Sequence, residues 1–362
     1  MISIGRLSTR AMLPALLSAT VSRPAAAQER VPLAPGLTIV TAVESRTGDY
    51  ESIKRLVSAD GEQLRIQYSS RTPQPDGGEL RAEVARTVRR SDLREARRYR
   101  ISFVEGDETL LPGTTALGAS AAMLCDLKTR GQTEVTVINQ PPGGVLGAVL
   151  GGLSGGSELQ GTLQRVESNP EQLSLVLNDR TVSLPTIHAR GRLSAGDHVR
   201  DAEFWFLDDT TNPLALKFTL GSELSIGGGT LRVVRIELPV PDRIERALAR
   251  RDTAVVYGLY FEFARAEIRP ESRPTLEEIA QVMRRHPDWK LRVAGHTDSV
   301  GSATGNLELS RRRAEAVRQA LGKLRVGADR LVTAGYGAAA PKATNATLEG
   351  RASNRRVELT RM

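Results

Sequence analysis

The stretch between Gly295 and Ala314 decides how the last third of this chain is interpreted. It reads Gly295-His296-Thr297-Asp298, then Asn306, then Leu309-Ser310-Arg311-Arg312-Arg313-Ala314. Successive residues of an α-helix turn by about 100°. A helix over 306–321 therefore centres one face on Arg313, with Asn306 on the same face and Arg311 pointing away from it. The apolar residues of that face are Leu309, Ala314, Ala316, Val317, Ala320 and Leu321.

Arg313 is a charged residue in the middle of this apolar face, and its position predicts a partner. A buried guanidinium without a partner is very costly, so it must meet an acid or an anionic ligand. Asp298, at the end of the apolar strand predicted over 290–295, is the candidate acid nearby. Helix geometry leaves two interpretations open. The pair either fixes strand to helix or receives a ligand.

Three groups of motifs resemble the C-terminal domain of OmpA-like proteins. The central group is Thr297-Asp298, Gly301, Asn306, Leu309-Ser310 and Arg313-Ala314. The opening group is Phe261-Glu262-Phe263 with Ile268-Arg269-Pro270-Glu271-Ser272. The closing group is Gly335-Tyr336-Gly337, Pro341, Asn345, Gly350-Arg351 and Asn354-Arg355-Arg356-Val357-Glu358. The groups occur in order and at compatible spacing over about 253–362.

The resemblance implies non-covalent, non-catalytic binding of the peptide stem of peptidoglycan. In the family, the acid and the arginine that match Asp298 and Arg313 bind the zwitterionic end of diaminopimelate. A carboxylate suits the ligand ammonium, and a planar guanidinium suits the ligand carboxylate. Asn306 and Thr297 complete the expected site. Ala264 stands where the family often has an acidic or amide residue, so a side-chain contact from that position is lost.

The order of predicted elements gives the fold class. For 253–362 we expect an α+β domain, a mixed sheet with two main helices on one face, as the resemblance also implies. Residues 241–252 are predicted as a linker. Residues 28–240 are predicted to be β-rich, with strands separated by turn clusters. A glycine-rich tract divides this front region into two candidate lobes, 28–140 and 157–240.

The beginning of the chain is typical of an export signal. Arg6 and Arg10 precede a short apolar stretch, and Ala25-Ala26-Ala27 offers a cleavage site after Ala27. We therefore expect residues 1–27 to be a signal peptide and the mature protein to act in the periplasm, associated with the cell wall or outer membrane of a Gram-negative-type bacterium. The single cysteine, Cys125, excludes an internal disulfide, and its apolar flanks favour a buried thiol.

The net charge of +8 raises the question of a polyanionic partner. An arginine-rich run from Gly78 to Arg98 is best explained as a solvated helix face, with Glu79, Glu83 and Glu95 as partners. Stacking aromatic residues are sparse, so nucleic acid is not an expected partner. No apolar segment is long enough for a transmembrane helix. Peptidoglycan is the expected partner, with other cell-envelope proteins as candidates for the front region.

The sequence contains features of three rival functions. Gly152-Leu153-Ser154-Gly155-Gly156 matches the serine-hydrolase pattern formally, but it lies in a glycine-rich tract. The four histidines and one cysteine lack metal-ligand spacing, so neither a metal nor a cofactor is expected. An outer-membrane β-barrel with a peptidoglycan-binding tail needs aromatic girdles. Only eight aromatic residues lie between 28 and 240. A non-enzymatic periplasmic protein remains the preferred reading.

Overall fold

A computed structural model describes residues 29–43, 50–73, 78–101, 112–138, 158–221, 230–262 and 264–362. The predicted signal peptide lies outside the described residues, as does the glycine-rich tract with Ser154.

The front region forms a sheet of antiparallel and parallel strands. Its strands are β1 (Thr38–Val43), β2 (Tyr50–Ala59), β3 (Gln63–Pro73), β4 (Glu79–Arg89), β5 (Arg98–Arg100), β6 (Thr114–Thr115), β7 (Gln132–Ile138), β8 (Glu158–Arg165), β9 (Glu171–Leu177), β10 (Arg180–Ala195), β11 (His198–Leu207), β12 (Ala215–Leu220) and β13 (Thr230–Glu237). In the part of the chain that the structure describes, twelve of these thirteen strands follow the order β4-β3-β2-β1-β13-β12-β11-β10-β8-β7-β5-β6, and β9 pairs off this path. The prediction of a β-rich front region is confirmed.

Strand β9 closes part of this sheet on itself. It pairs antiparallel with β10 and parallel with β13, so the meander from β9 to β13 returns to its first strand. The two candidate lobes share the sheet, because β1 from the first pairs with β13 from the second. The largest apolar cluster likewise contains residues from both, such as Leu64 and Leu175.

Two expectations about the front region are wrong. Residues Glu79–Arg89 form strand β4, not a solvated helix, and a short helix α1 (Arg90–Glu95) follows. Alternate residues Val84, Arg86 and Val88 are buried, as the two-residue period of a strand requires. The run of arginines concealed this alternation.

Cys125 is exposed rather than buried. It lies on helix α2 (Ala121–Thr129), which buries Met123, Leu124 and Leu127. At about 100° per residue, Cys125 lies about 160° from Met123 and Leu127 and about 100° from Leu124, outside the buried face of the helix. Apolar sequence neighbours were therefore a poor guide to its burial.

The C-terminal part forms the expected α+β arrangement. Its elements are α3 (Arg243–Ala249), β14 (Ala254–Val256), a 3-10 turn (Pro270–Ser272), α4 (Arg273–Arg285), β15 (Leu291–His296), α5 (Ala303–Lys323), a second 3-10 turn (Ala328–Arg330), β16 (Leu331–Gly337), α6 (Leu348–Asn354) and β17 (Val357–Arg361). The sheet order is β14-β17-β15-β16, with β15 and β16 parallel and the other pairs antiparallel. Helix α3 lies within the predicted linker, yet its Ile244 and Leu248 join the apolar core of this part. None of the helices in the described ranges is both long and apolar enough to cross a membrane.

The front sheet packs directly on the C-terminal part. Val40, Ile53 and Val234 of the front region form one buried cluster with Tyr260 and Ala352. Buried ion pairs accompany this cluster, including Arg71 of β3 with Glu262 at 3.3 Å. The packing brings strand β2 towards the end of β15.

Candidate ligand-binding site

The site is positioned by the close packing of α5 on the sheet. Glycines in the strands make this close approach possible. A Cβ atom at Gly295 would lie 2.2 Å from the carbonyl oxygen of Ser310, and one at Gly335 would lie 2.5 Å from the amide nitrogen of Arg311. The Ser310 hydroxyl accepts from the amide of Gly337 at 2.9 Å and donates to a carbonyl of its own helix. Any larger residue at either glycine would push α5 off the strands.

The buried face of α5 is rotated from the one expected. Its fully buried residues are Asn306, Ser310, Ala314, Val317 and Leu321. The face is therefore centred near Ala314, and Arg313 lies at its flank, half-buried. The expectation that Arg313 occupies the centre of the apolar face is wrong. The buried Ser310 was not anticipated because its role depends on glycines of another strand.

The loop after β15 is held by its own polar side chains. One carboxylate oxygen of Asp298 accepts from the amide of Val300 at 3.0 Å, and the Thr297 hydroxyl donates to the carbonyl of Asp298 at 2.9 Å. The amide group of Asn306 donates to the carbonyls of Asp298 and Val300 at 3.3 and 3.0 Å. Thr297 and Asn306 thus fix the backbone around Asp298.

Arg313 makes few polar contacts. Its Nε donates to the carbonyl oxygen of Arg265 at 3.0 Å, and its guanidinium lies 4.9 Å from the centre of the Phe261 ring. Among the described residues it forms no ion pair. Burial, and then the like charge of Arg355, lower the pKa of Arg313 to about 10, although Asp298 and Glu51 act in the opposite direction.

Asp298 pairs with Arg355 rather than with Arg313. Nη1 of Arg355 donates to Oδ2 of Asp298 at 2.6 Å, and Nη2 of Arg355 donates to Glu51 of strand β2. Burial acts to lower the pKa of Arg355, but Glu51 and Asp298 outweigh it and raise the pKa. The predicted direct partner of Asp298 was therefore the wrong arginine. Arg355 belongs to a quoted motif, whereas no sequence signal pointed to Glu51.

The end of α6 supports the other side of the loop. Asn354 is fully buried, and its side-chain oxygen accepts from the amides of Lys342 and Ala343 at 2.7 and 2.9 Å. Its amide group donates to Asn345, which in turn accepts from the amide of Ser299 at 3.1 Å. This chain of hydrogen bonds ties the loop after Asp298 to the end of the helix that directly precedes Arg355.

His296 lies beside the site but faces the sheet. The ring is buried, stacks on Tyr336 at 5.1 Å and approaches Glu358 to 3.4 Å. Contact with His296, and then with Arg356, lowers the pKa of Glu358 to about 2 against the opposing effect of burial. These contacts explain His296 as a packing residue. Among the described side chains, no group of three or more acids, histidines or cysteines could hold a metal ion.

The site therefore combines two carboxylates, Asp298 and Glu51, with two guanidiniums, Arg313 and Arg355. Their charges cancel. Arg355 is neutralised on both sides, whereas Arg313 keeps its guanidinium without a carboxylate. A carboxylate has about four acceptor positions, so Asp298 can receive another donor beside Arg355 and Val300. Such an arrangement suits a small group that carries both an anion and a cation.

Known proteins match the segment of the chain that contains Asp298, Arg313 and Arg355, whereas Glu51 lies outside it. Residues 260–355 match the family described as OmpA family. Outer membrane porin F of Pseudomonas fluorescens is 44% identical over 98 residues, which are 27% of this chain and 30% of that protein. The peptidoglycan-binding protein ArfA of Mycobacterium bovis is 39% identical over 94 residues, 26% of this chain and 29% of that protein. This chain thus spans less than a third of the length of each of these two curated relatives.

A solved structure matches over a similar length. The crystal structure of the peptidoglycan-associated lipoprotein from Burkholderia pseudomallei is 33% identical to this chain, with a TM-score of 0.28. The match covers 29% of this chain and 88% of that one.

Proposed function

We propose, from the premise that residues 260–355 form a domain of the OmpA family, that this protein binds peptidoglycan non-covalently. The ligand is the diaminopimelate-containing peptide stem. Its ammonium is accepted by Asp298 and its carboxylate by the fork of Arg313. A relative at 39% identity is named a peptidoglycan-binding protein, which supports this assignment.

The single observation that carries the proposal is the state of Arg313. Its guanidinium is half-buried, has a lowered pKa and lacks a carboxylate among the described residues. A desolvated charge of this kind is costly until an anion neutralises it. Its Nε is already bonded to Arg265, so Nη1 and Nη2 are the donors left for a carboxylate. An anionic ligand group therefore gains more here than at the solvated arginines nearby.

Thr297 and Asn306 serve the site by shaping the loop that presents Asp298. Their side chains donate to backbone carbonyls of the loop. They therefore affect ligand affinity through the position of Asp298. In this proposal the protein is a binding protein and not an enzyme. The domain anchors the front region to the wall, in the periplasm of a Gram-negative-type bacterium. The front region then carries a separate role towards envelope partners.

Co-sedimentation with isolated sacculi tests the proposal. The purified full-length chain should pellet with sacculi that contain diaminopimelate, and Asp298→Ala should remain in the supernatant. Arg311→Ala is the matched control, because Arg311 is exposed on α5 two residues before Arg313. It should pellet like the parent chain, with only a weak, salt-screened loss. Equal loss from Arg311→Ala and Arg313→Ala would instead indicate a diffuse basic surface.

A further inference from the structure

We propose that Glu51 of the front region is a positioning residue of the ligand site, which acts by holding Arg355 away from full engagement with Asp298. This inference rests on the proposed function. It makes the site composite, since the family match begins at residue 260 and Glu51 lies on strand β2.

The contact between Glu51 and Arg355 is supported on both sides by packing. Glu51 and Ile53 point to the same face of β2, because side chains alternate along a strand. Ile53 is buried with Tyr260 and Ala352, and Ala352 lies three residues before Arg355. The side chains of Glu51 and Arg355 are 23% and 31% exposed, so the pair is partly withdrawn from solvent. The front sheet therefore delivers Glu51 to Arg355 through an apolar contact.

Arg355 divides its guanidinium between two carboxylates. Nη1 donates to Asp298 and Nη2 donates to Glu51. Guanidinium and carboxylate groups form two parallel hydrogen bonds when geometry allows. Without the charge of Glu51, Arg355 would be free to turn both nitrogens onto Asp298. Asp298 would then have less capacity left for a ligand ammonium.

The charge balance works in the same direction. With Glu51 present, two carboxylates offset Arg313 and Arg355. Loss of the Glu51 charge leaves Arg313 and Arg355 facing Asp298 and also removes a counter-charge of Arg235, so the site becomes less favourable for an ammonium group. Both effects predict that Glu51 raises affinity for a zwitterionic stem. The front region therefore contributes to the affinity for the wall, in addition to being anchored there by the C-terminal domain.

Titration of the full-length chain with a diaminopimelate-containing muropeptide tests this inference. Glu51→Gln should weaken binding roughly three- to tenfold, which lies in the lower part of the range for coupled neighbours. The matched control is Glu349→Gln, which removes another ion pair across the same interface, that with Arg232 at 3.1 Å. That variant should bind within about twofold of the parent chain, because this pair does not include Asp298 or either site arginine.

A double-mutant cycle separates positioning from a general structural effect. If Glu51 acts mainly through Arg355, then Glu51→Gln should cost much less affinity in the Arg355→Gln background than in the parent chain, with only the smaller effect of the lost charge remaining. Thermal unfolding of each variant establishes that it is folded. Parent-like or tighter binding by Glu51→Gln would overturn the inference, as would a full additional loss in the Arg355→Gln background. Failure of the parent chain itself to bind the muropeptide would overturn the proposed function, which is a distinguishable result.

Discussion

Two arginines, one in the interface and one in the ligand site, both lie beside aromatic rings, but their pKa values are shifted in opposite directions. Arg235 of β13 is buried, donates to Glu237 at 3.1 Å and to the carbonyl of Ala352, and lies 5.1 Å from the ring centre of Tyr257. Burial acts to lower its pKa, but Glu51 and Glu237 more than compensate and raise it. Arg313 also lies over an aromatic ring, yet its pKa is lowered.

The difference shows how a structural arginine can be distinguished from a ligand-binding one. Arg235 has its counter-charge built into the fold, so removal of its side chain disrupts the protein. Arg313 has an aromatic platform and one backbone acceptor but no counter-charge among the described residues. A ligand can supply that charge. Four measurements test this distinction between structural and ligand-binding charges.

The largest expected effect is on stability, from Arg235→Ala. The change leaves Glu237 and Glu51 without a shared buried partner, so the free energy of unfolding should fall by about 3–5 kcal/mol. Urea unfolding followed by circular dichroism measures this. Arg192→Ala, whose side chain is 82% exposed, is the control and should stay within about 0.5 kcal/mol of the parent. A loss below about 1 kcal/mol for Arg235→Ala would contradict its structural role.

Arg313→Ala should show the reverse pattern. Affinity for a diaminopimelate-containing muropeptide should fall roughly hundredfold, because the ligand carboxylate loses its fork. The free energy of unfolding should change by less than about 1 kcal/mol, since the lost hydrogen bond is offset by removal of a desolvated charge. Asp298 keeps Arg355 as its partner in this variant. Calorimetric titration and urea unfolding of the same sample measure the two quantities. A large loss of stability with unchanged muropeptide affinity would mean that the role of Arg313 is purely structural.

The third measurement concerns Glu358, a carboxylate whose partners belong to the fold. The pKa of Glu358 is about 2 in the folded chain and 4.5 ordinarily. Its contribution to stability is thus fully present above about pH 4.5 and is lost as pH falls towards 2. Glu358→Gln should reduce the free energy of unfolding at pH 7 by on the order of 2 kcal/mol. It should also flatten the loss of stability between those two pH values, which thermal melts across the range would show. An unchanged acid profile would mean that Glu358 is not held by His296 and Arg356.

The smallest effect is expected from Asn306→Ala. Two loop carbonyls lose their donor, so the free energy of unfolding should fall by roughly 1–2 kcal/mol. Muropeptide affinity should fall much less than in Arg313→Ala, because Asn306 acts through the loop backbone. Gln319→Ala, an exposed amide on the same helix, serves as the control in both measurements. A hundredfold loss of affinity from Asn306→Ala would give Asn306 a direct role in ligand contact.

Local patterns predicted much of the C-terminal part. The helix over 306–321 was expected from its apolar spacing and extends from Ala303 to Lys323. The strand over 290–295 was expected from its apolar run and spans Leu291–His296. Such predictions succeed because side-chain period and turn chemistry act between residues a few positions apart. The roles of Asp298, Arg313, Asn306 and Thr297 towards a ligand stay predictions.

Two predictions failed where residue type is a poor guide to which face of an element is buried. The arginine-rich stretch before Arg90 resembles a solvated helix because its charges hide the alternation of a strand. Cys125 was expected inside because its neighbours are apolar, yet the helix turns it outward. In each case the side of the element that packs against the rest of the fold decides burial, and the residue types alone do not reveal that side.

The sequence by itself determined two of the elements that form the site, the strand that ends before Asp298 and the helix that carries Arg313, because short-range periodicity defines both. Only the tertiary structure decided which charges pair. Arg355 rather than Arg313 neutralises Asp298, and Glu51 reaches Arg355 across 304 positions of sequence. The physical reason is that ion pairing depends on distance and burial in three dimensions. A chain with 50 lysines and arginines offers many equivalent candidates until packing selects among them.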